Sequence, residues 1–256
     1  MRAKSRGLPR LTLLAVAAVV AIAAVAGVLR SGGDGDSAST RVGPRAQGDL
    51  TCRPTGRPRA TLLLFHPGGF ATGTARDFSK ECQLFARHGY LAVSVDYSHT
   101  LARGVRDAES RARKLAAAAH HHQRPVFAYG ISAGGTFAAT LAARDEVDAA
   151  FAFAGVYDIA KWADGNKAFI RSIGATPAQL VRLSPVNLPL RRPAPLLIVH
   201  NQHDIVAPYD AAFRMARRSG RFALHTLRRP VNGYAAHIPH PIAPALAFFK
   251  LHRRAP

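Results

Sequence analysis

Residues 125–143, PVFAYGISAGGTFAATLAA, place a serine framed by glycines between an apolar run and an alanine-rich segment. The run 125–130 predicts a buried strand, and the segment 133–143 predicts a helix. Gly130, Ser132 and Gly134 form a G-x-S-x-G motif at their junction. A strained strand-to-helix turn of this kind exposes a serine hydroxyl at the carboxyl edge of a parallel sheet. We therefore predict that Ser132 is a nucleophile, with an ordinary glycine turn or helix N-cap as the alternative.

Short apolar runs alternate with helical patterns on both sides of this motif. The pattern predicts strands at 60–65, 90–97, 125–130, 147–155, 194–200 and 221–227, with an additional edge strand at 49–52, and helices at 75–89, 101–119, 133–143, 209–220 and 240–254. Such alternation predicts an α/β fold, with a mostly parallel sheet of about six to eight strands and helices on both faces. Residues 156–192 contain no clear strand. The segment is too short for a large cap, so we predict none.

The first thirty residues differ from the rest of the chain. Residues 2–10 carry four basic side chains and no acid, and residues 11–29 carry no charge. This pattern predicts an N-terminal signal-anchor or signal peptide over residues 1–30. Nineteen helical residues span roughly 28 Å, enough to cross a bilayer. Ala24-Val25-Ala26 is also a plausible cleavage site. We expect export across the cytoplasmic membrane, either anchored with the N-terminus inside or secreted after cleavage.

The small polar residues from 31 to 47 predict a flexible linker, and residues 48–256 predict one catalytic domain.

The chain stays strongly basic without its first thirty residues. Five of the 35 Lys and Arg residues lie in residues 1–30, so the remainder has 30 basic residues against 15 acids, a formal net charge of +15. Weak association with anionic envelope polymers would fit this charge. The arginines are scattered, however, which favours coding bias as the explanation, with the envelope polymers as the functional alternative. No basic block is interleaved with aromatic residues, so we expect no nucleic-acid partner.

Cys52 and Cys82 are the only two cysteines in the chain. In an exported protein an isolated pair more often forms a bridge than stays free. We therefore predict a disulfide between them, with two buried thiols as the alternative.

A nucleophilic serine needs a histidine to take its proton and a carboxylate to orient that histidine. In this architecture the order along the chain is serine, acid, histidine. Asp204 follows the predicted strand 194–200 by four residues, in a loop that could face Ser132. Asp158 is the weaker candidate because it could equally be a turn or cap residue. Asp210 lies within the next predicted helix.

The loop after the last predicted strand offers two histidines, His237 and His240. We predict His237 as the base, because His240 lies beside Pro241 where the final helix begins. The run of histidines at 120–122 suggests a metal site, but no acid or cysteine accompanies it. We therefore predict neither a metal nor a cofactor.

Several motifs resemble those of α/β-hydrolase esterases, in the group that includes hormone-sensitive lipase and the feruloyl and acetyl esterases. HPGGF at 66–70 is similar to their H-G-G-G-[FW] loop, GISAGG at 130–135 to G-x-S-A-G-G, and HNQHDIVAPY at 200–209 to H-G-x-x-D-x-x-V-P. DYS at 96–98 and LSPV at 183–186 echo two further segments, and the resemblance covers residues 48–252.

This resemblance implies an α/β-hydrolase fold and a Ser132, Asp204, His237 triad. It also implies that the backbone N–H groups of Gly68 and Gly69 bind the oxyanion. The N–H of Ala133, directly after the nucleophile, is a third expected donor.

Two residues depart from the pattern: Pro67 replaces the first loop glycine, and Asn201 replaces the glycine before the acid. We expect a carboxylesterase that acts on a small-molecule ester through an acyl-enzyme. The alternatives are a serine peptidase or amidase using the same triad, and a non-catalytic envelope binding protein that keeps the fold.

Overall fold

A computed structural model describes residues 48–120, 124–164, 175–228 and 241–252, built around a seven-stranded sheet. The strands are β1 (Leu50–Cys52), β2 (Ala60–Phe65), β3 (Tyr90–Ser94), β4 (Val126–Ile131), β5 (Ala149–Phe153), β6 (Leu196–Asn201) and β7 (Phe222–Leu227). Their order across the sheet is β1-β3-β2-β4-β5-β6-β7. Every neighbouring pair is parallel except β1 with β3. The predicted α/β sheet is confirmed, including its edge strand.

Seven α-helices lie in the described part of the chain. They are α1 (Ser79–Arg87), α2 (Leu101–His120), α3 (Ala133–Ala143), α4 (Ile159–Asp164), α5 (Pro177–Leu183), α6 (Tyr209–Ala216) and α7 (Ile242–Leu251). Short 3-10 helices cover Ala75–Phe78 and Pro185–Asn187. Helices therefore follow most of the strands, as the sequence pattern predicts.

The sheet is apolar on both faces because helices cover both. In β2, Leu63 and Phe65 belong to one buried cluster, whereas Leu62 and Leu64 belong to the other. Alternate side chains of a strand point to opposite faces, so the two clusters lie on the two sides of the sheet. Helices α2 to α6 contribute to the first cluster, and α1 and α7 to the second. This explains why the central strands are continuous apolar runs.

Some helix and strand ends differ from the prediction. The helix expected over 75–89 divides at Phe78, whose φ of −102° and ψ of 23° fall outside the helical range. Gly89 ends this segment with φ 87°, as expected for a residue that follows a helix. Helix α6 ends at Ala216. Beyond it the N–H of Arg218 donates to the Met215 carbonyl, a hydrogen bond between residues three apart that replaces the α-helical spacing of four.

A disulfide joins β1 to α1. Cys52 and Cys82 form this bond, with their Cα atoms 5.7 Å apart. The predicted bridge is thus confirmed.

The predicted signal segment at 1–30 and the linker at 31–47 lie outside the described residues. Among the residues that are described, no helix has both the length and the apolar character needed to cross a membrane. The predicted export and the choice between anchor and cleaved signal stay predictions.

Candidate active site

Ser132 occupies a strained turn between β4 and α3. Its φ of 56° and ψ of −121° are unusual for a residue with a side chain. Its N–H donates to the Phe153 carbonyl at the end of β5, at 2.9 Å, which holds the strained turn in place. Such strain persists only where the surroundings enforce it, and it concentrates at functional sites. The strand-to-helix elbow predicted from the sequence is present.

The glycines of the motif let α3 approach the sheet at contact distance. A Cβ atom at Gly134 would lie 1.9 Å from the carbonyl oxygen of Phe65, the last residue of β2. A Cβ atom at Gly130 would lie 2.0 Å from the Gly134 carbonyl oxygen. Both contacts are far too short for any side chain. The elbow of Ser132 therefore lies directly against the end of β2, where the HPGGF loop begins.

The HPGGF loop is a tight turn in which three successive residues have positive φ. The values are 146° at Gly68, 59° at Gly69 and 66° at Phe70. The Gly68 carbonyl accepts from the N–H groups of Ala71 and Thr72, both at 3.0 Å. A Cβ atom at Gly68 would meet the Thr72 carbonyl oxygen at 1.9 Å, so this position requires glycine.

The three expected oxyanion donors are Gly68, Gly69 and Ala133. Within the described part of the chain, the structure gives their backbone N–H groups no acceptor. Two of them belong to the loop after β2, and the third follows Ser132 at the start of α3. Their assignment as donors stays a prediction.

His66 and Tyr97 hold the start of this loop. Their rings stack with centroids 4.1 Å apart, and the Tyr97 hydroxyl donates to the His66 carbonyl at 2.6 Å. His66 Nδ1 lies 2.7 Å from the Pro67 carbonyl oxygen, which fixes the proton on Nδ1. Burial lowers the pKa of His66 below its usual value, so the ring is neutral at pH 7. Tyr97 belongs to the DYS segment, which thus supports the HPGGF loop.

Asp204 lies in a tight turn after β6, with its side chain fully buried. Its Oδ1 accepts from the N–H groups of Val206 at 2.8 Å and Ala207 at 2.9 Å. Its Oδ2 lies 3.4 Å from Nε2 of His200, whose own closer contact is the Ala207 carbonyl at 2.8 Å. The carboxylate is therefore held in one orientation by the turn that follows it.

The two other acids considered from the sequence serve surface interactions. Asp158 Oδ1 accepts from the Lys161 N–H at 3.0 Å in the first turn of α4, and its Oδ2 accepts from Arg214 at 2.7 Å. Asp210 pairs with the Lys161 ammonium at 2.7 Å, and this hydrogen bond lowers the pKa of the Asp210 carboxyl. Asp158 thus caps the start of α4, which was the alternative to a catalytic role for this residue. These contacts favour Asp204 as the acid of the triad.

Ser132 and Asp204 lie at the same edge of the sheet. They follow β4 and β6, and β5 pairs in parallel with both of these strands. The carboxyl ends of parallel strands meet at one edge, where such folds bind their ligands. His237, the predicted base, and His240, its alternative, lie outside the described residues. The histidine of the triad stays a prediction.

Two residues near the site were not identified from the sequence. The buried Ser184, in the LSPV segment, accepts from the N–H of Ile159 at 2.8 Å and donates to the Leu180 carbonyl at 2.7 Å. It thereby fixes the start of α4. Trp162 on α4 donates from Nε1 to the Val206 carbonyl at 2.8 Å. The one sequence feature that could have drawn attention to Trp162 is that it is the only tryptophan of the chain.

The described part of the chain contains no cluster of side chains suited to a metal ion. No group of three or more His, Cys, Asp or Glu side chains that could hold a metal ion occurs among the residues the structure describes. The histidine run at 120–122 falls mostly outside them, because His121 and His122 are not described.

Comparisons with known proteins agree with this fold. A family model described as having the alpha/beta hydrolase fold matches residues 62–218, which confirms the fold that the motifs implied. No curated protein matches. Among solved structures, esterase 2 of Thermogutta terrifontis phosphonylated by sarin is 20% identical, with a TM-score of 0.66 over 81% of this chain and 91% of that one.

Two further structures are similar and carry small carboxylates. A thermophilic esterase from Thermogutta terrifontis with propionate bound is 22% identical, with a TM-score of 0.65 over 81% of this chain and 90% of that one. The butyrate-bound form is 21% identical, with a TM-score of 0.64 over the same shares, 81% and 90%. At these identities the likeness concerns the fold.

Proposed function

We propose that this chain, which belongs to the family of proteins with the alpha/beta hydrolase fold, hydrolyses carboxylic esters with Ser132 as its nucleophile. One observation carries the proposal. Ser132 is held at φ 56° between β4 and α3, against the glycine loop that follows β2. An ordinary N-cap serine has extended backbone angles and needs no such strain.

The proposed reaction proceeds in two halves. Ser132 Oγ attacks the ester carbonyl carbon while His237 takes the hydroxyl proton, and Asp204 holds the resulting imidazolium. The tetrahedral intermediate then collapses, the bond to the alcohol oxygen breaks, and His237 returns the proton to that oxygen. Water attacks the acyl-enzyme by the same route, which releases the carboxylic acid and restores Ser132.

The negative oxygen of each intermediate is the charge that this site must stabilise. We assign its donors to the N–H groups of Gly68, Gly69 and Ala133. Removing one such donor typically lowers turnover 10² to 10³-fold. Pro67 has no N–H, but the loop positions that would donate are the two glycines after it. Proline instead restricts its own φ and favours extended backbone at His66.

The acyl group of the substrate is proposed to be short. Propionate and butyrate are the acids named in two of the similar esterase structures. We expect p-nitrophenyl acetate, propionate and butyrate to be better substrates than esters of long acyl chains.

The disulfide supports export of the protein, because such bonds persist in oxidising compartments. The predicted anchor or signal at 1–30 would direct that export.

The test is ester hydrolysis by wild type, Ser132→Ala and a matched Ser94→Ala control. Ser94 is buried at the end of β3, and its hydroxyl has no partner among the described residues. Removing it should therefore leave both fold and turnover unchanged. Ser132→Ala should abolish turnover, and undiminished hydrolysis would refute the proposal.

A fluorophosphonate probe and a peptide amide separate the alternatives. The probe should label wild type and not Ser132→Ala. Labelling together with amide cleavage faster than ester cleavage would identify a peptidase or amidase. A folded protein that neither reacts with the probe nor cleaves esters would identify a non-catalytic binding protein.

A further inference from the structure

We infer that Trp162 is a positioning residue that couples the Asp204 turn to the glycine loop after β2. The catalytic consequence of this inference rests on the proposed function, whereas the coupling itself rests on the contacts of Trp162. Trp162 lies on α4, is 7% exposed, and contacts both loops, the Asp204 turn through a hydrogen bond and the glycine loop through a ring contact.

Helix α4 is fixed at its start, which gives Trp162 a firm base. Ser184 Oγ accepts from the N–H groups of Ile159 at 2.8 Å and Ala160 at 3.3 Å. Asp158 Oδ1 accepts from the Lys161 N–H at 3.0 Å. Together these acceptors satisfy N–H groups that the first turn of a helix leaves without partners. The buried Ser184 therefore sets where the indole lies.

The indole N–H acts on the acid through a single peptide group. Trp162 Nε1 donates to the Val206 carbonyl oxygen at 2.8 Å. That carbonyl shares its peptide group with the N–H of Ala207, which donates to Asp204 Oδ1 at 2.9 Å. Hydrogen bonds in such a chain polarise one another, so the indole strengthens and orients the donor that holds the carboxylate.

A second contact of Trp162 is with the glycine loop. Its ring meets Phe70 edge to face, with centroids 6.3 Å apart and planes at 74°. Phe70 directly follows Gly69, is fully buried, and has φ 66°. Its ring also packs edge to face on Phe137 of α3, at 5.7 Å. A displaced indole would free Phe70 to move, and the N–H of Gly69 would move with it.

Both contacts support groups that act on the transition state. The carboxylate stabilises the imidazolium, and the glycine N–H groups stabilise the oxyanion. Loss of interactions of this kind lowers kcat and leaves KM almost unchanged. A residue that only contributed to folding would lower stability without this separation.

The first arm of the test compares Trp162→Phe with Phe249→Leu. Trp162→Phe keeps an aromatic ring beside Phe70 and removes the indole N–H. We expect kcat for p-nitrophenyl acetate to fall about tenfold, with KM within about twofold of wild type. Phe249 stacks on Phe127 at 4.9 Å on the other face of the sheet, so its variant should lose stability and keep kcat. Wild-type kcat in folded Trp162→Phe would overturn the inference.

The second arm needs no turnover, so it also decides the inference if the proposed ester hydrolysis fails. Amide hydrogen exchange is measured over residues 68–71 and 204–207. Trp162→Phe should exchange faster at 204–207 only, and Trp162→Ala at both segments. Ser132→Ala should exchange as wild type does. Unchanged exchange at both segments in folded Trp162→Ala would overturn the coupling itself.

Discussion

Replacing Gly134 by alanine is expected to lower turnover about a hundredfold, because α3 and the end of β2 meet at this residue. The new Cβ atom would lie 1.9 Å from the Phe65 carbonyl oxygen and 2.9 Å from the His66 carbonyl oxygen. Ordinary contacts of a Cβ atom begin near 3.4 Å. Relief of the shorter contact therefore requires a movement of roughly 1.5 Å between backbone segments, since neither partner is a flexible side chain.

That movement separates the two halves of the proposed oxyanion site. Ala133 lies next to Gly134 on α3, whereas Gly68 and Gly69 follow His66 on the other side of the contact. A displacement of about 1 Å can cost 10²-fold in rate, and loss of one donor costs 10² to 10³-fold. Overpacking of a buried site typically costs 1–3 kcal/mol of unfolding free energy, so we expect a folded protein.

The assay is p-nitrophenyl acetate hydrolysis per folded molecule, with the folded fraction taken from urea unfolding. Gly220→Ala is the matched control, because a Cβ atom there meets nothing within 4 Å. Gly135→Ala provides an intermediate case, with its Cβ atom 2.8 Å from the Phe153 carbonyl oxygen. The three variants should rank in order of these distances. A folded Gly134→Ala protein with the turnover of Gly220→Ala would refute the reasoning.

Three further predictions concern the disulfide, the acid and the pH dependence of stability. Replacing both Cys52 and Cys82 by serine should lower the free energy of unfolding, measured by urea titration, by about 3–4 kcal/mol, because the disulfide closes a loop of about 31 residues. Asp204→Asn should lower kcat about 10⁴-fold, whereas Asp158→Asn should keep kcat within a few-fold and lower the melting temperature slightly. Burial lowers the pKa of His66 in the folded protein, so the unfolded chain binds its proton first. The free energy of unfolding should therefore fall as the pH drops below about 6.5, with a smaller slope in His66→Gln.

The central strands could be predicted closely because both of their faces are buried. Residues 60–65 form a continuous apolar run, and β2 occupies that same range. The strand predicted at 90–97 is shorter, since β3 ends at Ser94. The residues after Ser94 leave the sheet because they bind neighbouring loops. The backbone N–H of Asp96 donates to the Asp49 carboxylate, and the Tyr97 hydroxyl donates to the His66 carbonyl. Such contacts depend on residues far away in the chain.

The candidate site was predictable where a single motif defines it. Ser132 follows from the glycines that the elbow requires, and these act over a few residues. The choice between Asp204 and Asp158 depends on partners such as Arg214, 56 residues from Asp158. Trp162 could not be identified as a positioning residue from the sequence. Its proposed role depends on contacts with Val206 and Phe70, which are distant in the chain and meet only in the folded protein.

The bond between Cys52 and Cys82 also bears on solubility. Strand β1 is only three residues long, yet it covers the outer edge of β3 at Ala92, Val93 and Ser94, in a mostly buried and mostly apolar strand. An uncovered edge presents unpaired N–H and C=O groups on which a second chain can build a sheet. Because the disulfide attaches β1 to α1, oxidation keeps that edge closed. Reduction would therefore favour aggregation before it unfolds the domain.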